Sequence, residues 1–89
     1  MFYVYLLKSR KVNWLYVGAT DDLRARFSKH NRGLVKSTKF YAPFEIMYYE
    51  AYLSLSLARK REYDLKNNSQ QKEILLKRLG DCSRSGGFA

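Results

Sequence analysis

Phe2-Tyr3-Val4-Tyr5-Leu6-Leu7, then the polar turn Lys8-Ser9-Arg10-Lys11, then the run from Val12 to Tyr16-Val17-Gly18: the reading of this stretch decides the fold. The first run is continuously apolar and aromatic and rich in β-formers, the mark of a buried strand. The second follows closely enough to pair with it, giving an antiparallel hairpin with a somewhat long loop. Gly18 ends the second strand where the backbone must bend or come close to something.

Beyond the hairpin, Thr20, Asp21 or Asp22 can cap a helix, and the aspartates also suit its positive end. Leu23 and Phe27 mark the apolar stripe of that helix, which runs to about Asn31 and is stopped by Gly33. Arg26 and His30 are four positions apart, so they project from one face as neighbours. After a basic loop from Arg32 to Tyr41, Pro43 opens a third strand, Phe44 to Ala51. Simple alternation puts Phe44, Ile46 and Tyr48 on one side and Glu45, Met47 and Tyr49 on the other. Ser54 or Ser56 caps a second helix through about Lys66. Ser69 caps a third through Leu79, with Ile74, Leu75 and Leu79 inward and Gly80 as its stop. The Ser/Gly-rich tail, residues 81–89, reads as frayed and disordered. The fold class is α/β (α+β): one domain over residues 1–80, a small three-stranded antiparallel sheet flanked by three helices in the order β-β-α-β-α-α.

The composition bounds the function. The chain has 89 residues, 46% of them hydrophobic, with eight Tyr and five Phe, which suits one folded domain with a modest core. No apolar run approaches the roughly 20 residues of a membrane span, and the start lacks the pattern of a signal peptide. Cys82 is the only cysteine and His30 the only histidine, so neither an intrachain disulfide nor a Cys/His zinc site is available. A reducing, cytoplasmic setting fits. The formal charge is +9, from 17 Lys+Arg against 8 Asp+Glu. Lys8, Arg10, Lys11, Arg24, Arg26, Lys29, Arg32, Lys36 and Lys39 are opposed in their stretch only by Asp21 and Asp22, while Phe40 to Ala58 holds no basic residue. Such one-sidedness favours a polyanion, and nucleic acid is the commonest. Small basic proteins are also common for reasons of solubility alone.

Glu62 is the clearest candidate for chemistry. In the second helix Leu55, Ala58, Glu62 and Leu65 fall on one face at spacings of three, four and three, so a carboxylate stands in an apolar stripe. That is costly unless it is paired or metal-bound. An ion pair with Arg26 or another basic group is the plain alternative. Mg²⁺ accepts carboxylate oxygen and keeps several waters, so one Glu plus substrate phosphate is an adequate ligand set. Tyr5 and Tyr16 lie on paired strands and can present phenols on one face of the hairpin, although strand aromatics are most often core. A phenol serves as a base only if nearby positive charge lowers its pKa, and Arg26 or a metal can supply that charge. Arg26 can also grip a phosphate bidentately. His30 can relay a proton or bind phosphate, or be structural.

Tyr3-Val4-Tyr5 and Tyr16-Val17-Gly18 resemble the two halves of the GIY-YIG nuclease motif, over roughly residues 1 to 80. Asp22-Leu23-Arg24-Ala25-Arg26 resembles the family's first helix, and Arg61-Glu62 its metal-binding helix. The loop Asn31-Arg32-Gly33, Lys36-Ser37-Thr38-Lys39, Pro43-Phe44 and Tyr48-Tyr49-Glu50 resemble the small stand-alone bacterial members. The resemblance implies that Tyr5 and Tyr16 are the motif tyrosines, one of which activates a water, without choosing between them. It implies that Gly18 lets the backbone come close to the site, Arg26 is the catalytic arginine, His30 stands where members carry His or Tyr, and Glu62 binds a single Mg²⁺ or Mn²⁺. The chain departs from the pattern at Tyr3, where the first half-motif has glycine, and at Ala19, where several members place a lysine. Any role of that lysine must pass to another cation or be absent. Asn67 and Asn68 are the candidates for a late asparagine that many members carry.

The expectation is therefore a metal-dependent endonuclease that hydrolyses DNA phosphodiester bonds with structure-dependent or loose specificity, as in DNA repair or processing. Lys8, Lys11, Arg24, Lys29, Arg32, Lys36 and Lys39 would hold the DNA backbone. No small-molecule cofactor or membrane partner is implied, and a monomer is the default. The rival is a non-catalytic nucleic-acid-binding module using the same basic face.

Overall fold

The computed structural model describes residues 1–79; Gly80, Cys82 and the tail that the sequence reading treats as frayed lie outside the described residues. β1 (Phe2–Ser9) is the middle strand of an antiparallel sheet, with β2 (Leu15–Thr20) on one side and β3 (Phe44–Tyr52) on the other. α1 (Leu23–Asn31) follows β2, and a short 3₁₀ turn (Lys39–Tyr41) leads into β3. α2 (Leu55–Asn67) and α3 (Ser69–Arg78) complete the order β-β-α-β-α-α expected from the sequence. Among the described residues no helix is long and apolar enough to cross a membrane.

The central place of β1 explains its unbroken apolar run. Val4 and Leu6 face one side with Leu15, Val17, Ala58, Leu65, Leu75 and Leu76, the core beneath α2 and α3. Tyr5 and Leu7 face the other side with Phe44, against Trp14, Tyr16, Leu23 and Phe27 near α1. All four of these β1 side chains are at most 2% exposed, so both faces of the strand are covered.

Local chemistry sets the boundaries of the helices. Asp22 caps α1 by accepting from the Ala25 amide at 3.1 Å, and the Thr20 hydroxyl accepts in turn from the Asp22 amide at 3.2 Å. The helix ends in a Schellman arrangement: the Leu34 amide donates to the Lys29 carbonyl at 3.0 Å and the Gly33 amide to the His30 carbonyl at 3.2 Å. Gly33 sits there at φ 72°, which favours glycine. Ser54 caps α2. Asn68, not Ser69, caps α3, because its Oδ1 reaches the amides of Gln70 and Gln71.

Four further sequence expectations are corrected. Val12 is not in a strand: the Ser9 hydroxyl accepts from the amides of Lys11 and Val12, holding them in the turn until Leu15. The alternation in β3 breaks at Met47, where a bulge opposite Leu6 and Leu7 inserts one residue. Met47 and Tyr48 therefore both pack toward the α2–α3 core, while Ile46 and Tyr49 line a groove with Phe27 on the other face. In α2, Leu55 is exposed rather than inward, and in α3 Leu76 is buried in place of Ile74. The stripe of α3 is thus turned by one position from the simplest assignment, while α2 keeps Ala58 and Leu65 inward and leaves its first residue out.

A polar network fixes that docking. Glu50 on β3 accepts from Tyr48 Oη at 2.7 Å, from Tyr52 Oη, and from Arg61 Nε on α2 at 2.9 Å. Arg61 also donates to Gln71 Oε1 on α3 at 3.0 Å, so one guanidinium ties β3, α2 and α3 together.

Candidate active site

Tyr5 stands directly opposite Gly18 in the β1–β2 ladder. A Cβ on Gly18 would meet the Tyr5 hydroxyl, lie 2.5 Å from Tyr5 Cζ and 2.9 Å from Tyr16 Cε2. Glycine is needed because the Tyr5 ring crosses that position, a more specific reason than a bend in the strand. Tyr16 follows two residues earlier on the same face, its ring centroid 6.2 Å from that of Tyr5. His30 comes from the last turn of α1. Its ring lies 5.1 Å from Tyr16 and 5.7 Å from Tyr5, centroid to centroid.

His30 is fully buried and bound at both nitrogens. Nε2 lies 2.9 Å from the Tyr5 hydroxyl, and Nδ1 2.8 Å from Oγ1 of Thr38, itself fully buried. One arrangement of protons serves every group: Tyr5 donates to Nε2, Nδ1–H donates to Thr38, and Thr38 donates to the Val35 carbonyl. This assigns His30 as neutral. Burial, with the Arg26 charge adding to it, pulls its pKa down to about 4. Burial likewise pushes the Tyr5 phenol up to about 12, with Tyr16 and Glu62 adding and Arg26 opposing.

Arg26 from α1 and Glu62 from α2 line one open depression at the end of β2, together with Phe2, Ala19, Thr20, Asp21, Leu55 and Arg59. Its volume is about 630 Å³. Glu62 is not sunk in the core; its side chain is 25% exposed at the rim and paired with Lys66 at 3.1 Å. The ion pair foreseen as the plain alternative therefore exists, with Lys66 rather than Arg26 as partner. Arg61, its neighbour, turns away to Glu50, so of that Arg-Glu pair only the glutamate reaches the depression.

The structure thus gathers Tyr5, Tyr16, Gly18 and His30 under α1, with Arg26 and Glu62 in the adjoining depression. The basic residues are less united. Lys29 borders a second recess shared with Arg26. Arg24 lines the groove of Tyr3, Phe27 and Tyr49. Lys11 and Lys39 converge on Phe40, one on its carbonyl and one over its ring. Lys36 and Arg32 are exposed on the loop after α1. Lys8 lies at the far end of β1 from Phe2, about 20 Å along the strand from the depression. Asn68 is committed as a helix cap and Asn67 donates to the Tyr63 carbonyl, so neither meets the site. Tyr3 packs edge-on against Tyr49, its centroid 6.1 Å away.

Three contributors escaped the sequence reading. Thr38 and Lys66 touch site residues and Arg59 lines the depression. Only Lys66 carried a usable signal, its i,i+4 spacing from Glu62.

Among the described residues no group of three or more His, Cys, Asp or Glu could enclose a metal ion. Glu62 nevertheless suits a hard divalent cation: its Oε2 already holds a cationic ammonium at the edge of open space. A one-carboxylate site fits Mg²⁺, which keeps its waters and takes further oxygens from a phosphate. A guanidinium and a carboxylate lining one opening, with the Tyr16 phenol close by and Tyr5 buried behind it, can bind a phosphodiester and direct a water at it.

The family model described as the GIY-YIG catalytic domain matches residues 1–74. The UPF0213 protein of Staphylococcus aureus strain N315 is 41% identical over 75 residues, covering 83% of this chain and 90% of that protein. The corresponding protein of strain MW2 gives the same values. The solution NMR structure of a UPF0213 protein from Bacillus halodurans is similar with a TM-score of 0.54 and 32% identity, covering 92% of this chain and 88% of that one.

Proposed function

This chain belongs to the GIY-YIG family of nuclease domains, and from that premise we propose that it is a divalent-metal-dependent endonuclease hydrolysing DNA phosphodiester bonds. The observation that supports the reading is geometric: the Tyr16 ring packs on the Tyr5–His30 pair, and Lys66 lies between that ring and Glu62, which shares its depression with Arg26.

In this reading Glu62 holds one Mg²⁺ or Mn²⁺, which supplies Lewis-acid polarisation of the phosphate. Arg26 grips the phosphate and stabilises the charge that develops on it. Tyr16 meets the attacking water, because Tyr5 is only 1% exposed and its proton is committed to His30. Tyr5, His30 and Thr38 form a buried rail that holds the Tyr16 face in place. Lys29, Arg24, Arg32, Lys11, Lys36 and Lys39 hold the DNA backbone without reading sequence. Specificity is then for DNA structure, or loose, as suits repair or processing.

The test is cleavage of a panel of labelled DNA structures by wild type and Glu62→Ala, with Mg²⁺, with Mn²⁺ and with chelator. Metal-dependent cutting that disappears in the variant supports the nuclease. Intact binding without any cutting by wild type turns the reading to a non-catalytic nucleic-acid-binding module.

A further inference from the structure

Lys66 is held between two members of the site. Its ammonium is 3.1 Å from Glu62 Oε2 and 5.5 Å from the centroid of the Tyr16 ring. Glu62 and Lys66 lie on α2, which packs on the Val17 face of the sheet, whereas Tyr16 faces α1. The lysine therefore reaches around the edge strand β2 to bridge the two faces. The side chains of Lys66 and Glu62 are 31% and 25% exposed, so this pair sits at a rim where water can take either partner. Ala19 packs against the α2–α3 core, so the position after Tyr16-Val17-Gly18 puts no cation beside Tyr16.

We propose that Lys66 is a working residue of the active site: its ammonium holds the metal's place on Glu62, yields Glu62 to the divalent ion, and then binds the substrate phosphate beside Tyr16. The inference rests on the nuclease reading and deepens it. The exchange keeps the carboxylate paired throughout: a monocation leaves as a dication arrives, and the extra positive charge is met by the substrate phosphate. A dication outcompetes an ammonium for carboxylate oxygen once phosphate adds its own. The released lysine stays tethered to α2 with its ammonium in reach of the Tyr16 ring, where a phosphate is its natural partner.

The experiment compares wild type, Lys66→Met, Lys66→Arg and Glu62→Gln, alone and combined. Mn²⁺ binding is followed by loss of the free-ion EPR signal. Affinity for a short labelled DNA duplex is measured by anisotropy, in chelator and in Ca²⁺. Lys66→Met is expected to bind Mn²⁺ about two- to fivefold more tightly, the size of an exposed ion pair, while Lys66→Arg stays near wild type. Lys66→Met should weaken DNA binding by a similar factor in Ca²⁺ but scarcely in chelator, where the lysine is still held by Glu62. In the Glu62→Gln background the lysine is already free, so its removal should weaken DNA binding even in chelator. Unchanged Mn²⁺ affinity, or the same loss of DNA affinity with and without metal, overturns the proposal and leaves Lys66 a surface partner. Neither readout depends on cleavage, so a protein that shows this linkage and never cleaves refutes the nuclease reading and not the exchange.

Discussion

The ring of Tyr5 fills the space that a side chain on Gly18 would occupy. The two residues are ladder partners on neighbouring strands, so the strand pairing itself sets the fit. Gly18→Ala must push the phenol off His30 Nε2 or open the β1–β2 pair, since the obstructing atoms belong to a buried ring. The expected cost is about 1–3 kcal/mol of stability, read by urea denaturation, with cleavage falling in parallel.

The two motif tyrosines should separate by what their removal does to the fold. Tyr16→Phe is expected to lower the cleavage rate by about 10²–10⁴ with stability nearly unchanged. Tyr5→Phe leaves His30 Nε2 without its donor and should destabilise by about 1–3 kcal/mol while retaining more activity. Single-turnover cleavage beside denaturation curves decides it; the opposite ranking of activities would exchange the two roles.

Stability should fall as the solution is acidified. His30 is held neutral in the fold, with its pKa pulled down to about 4 from 6.5 by burial and by Arg26. Between those values the unfolded chain binds a proton that the folded chain refuses, so stability is full above the upper value and declines toward the lower one. The decline from this residue is at most about 3 kcal/mol. Glu50, whose carboxyl is held below its ordinary 4.5 by Arg61, Tyr52 and Tyr48 against the opposing effect of burial, acts in the same direction at lower pH. Denaturant titrations across this range should flatten in His30→Gln, and an unchanged slope would show that another group carries the dependence.

Arg61→Met should be among the more damaging single changes outside the site. It leaves Glu50 with its phenols alone and removes the link to Gln71. A loss of about 2–4 kcal/mol is expected, measured by chemical denaturation. Cleavage should weaken as well, because the same guanidinium sets how α2 presents Glu62.

The paired change Lys36→Ala with Lys39→Ala removes two exposed charges on the loop between α1 and β3. DNA affinity should fall, and the slope of its logarithm against the logarithm of salt concentration should flatten by roughly two. An unchanged slope would place the DNA elsewhere on the surface.

Much of this was legible in the residues themselves. The paired faces of β1 and β2 follow from the two-residue period, so Tyr5 and Tyr16 could be set on one side from sequence alone. Gly33 marks the end of α1, and Asp22 and Ser54 stood among the few residues able to cap their helices, through bonds made within a few residues. The four-residue spacing of Arg26 and His30 put them on one face of α1. These are short-range matters, fixed by the geometry of neighbouring peptide units. What stayed hidden depends on residues far apart in the chain. The bulge at Met47 reverses which face Tyr48 and Tyr49 present, and it answers to packing against β1. Thr38 meets His30 only because the loop after α1 folds back beneath it. The pairing of Glu62 with Lys66 is local to α2, but whether Glu62 lay in the core or at the rim depended on how α2 docks, which Arg61 and Glu50 fix across 11 positions of sequence. Periodicity determines that a face exists; only the tertiary contacts, summed over partners that no local pattern names, decide what that face meets.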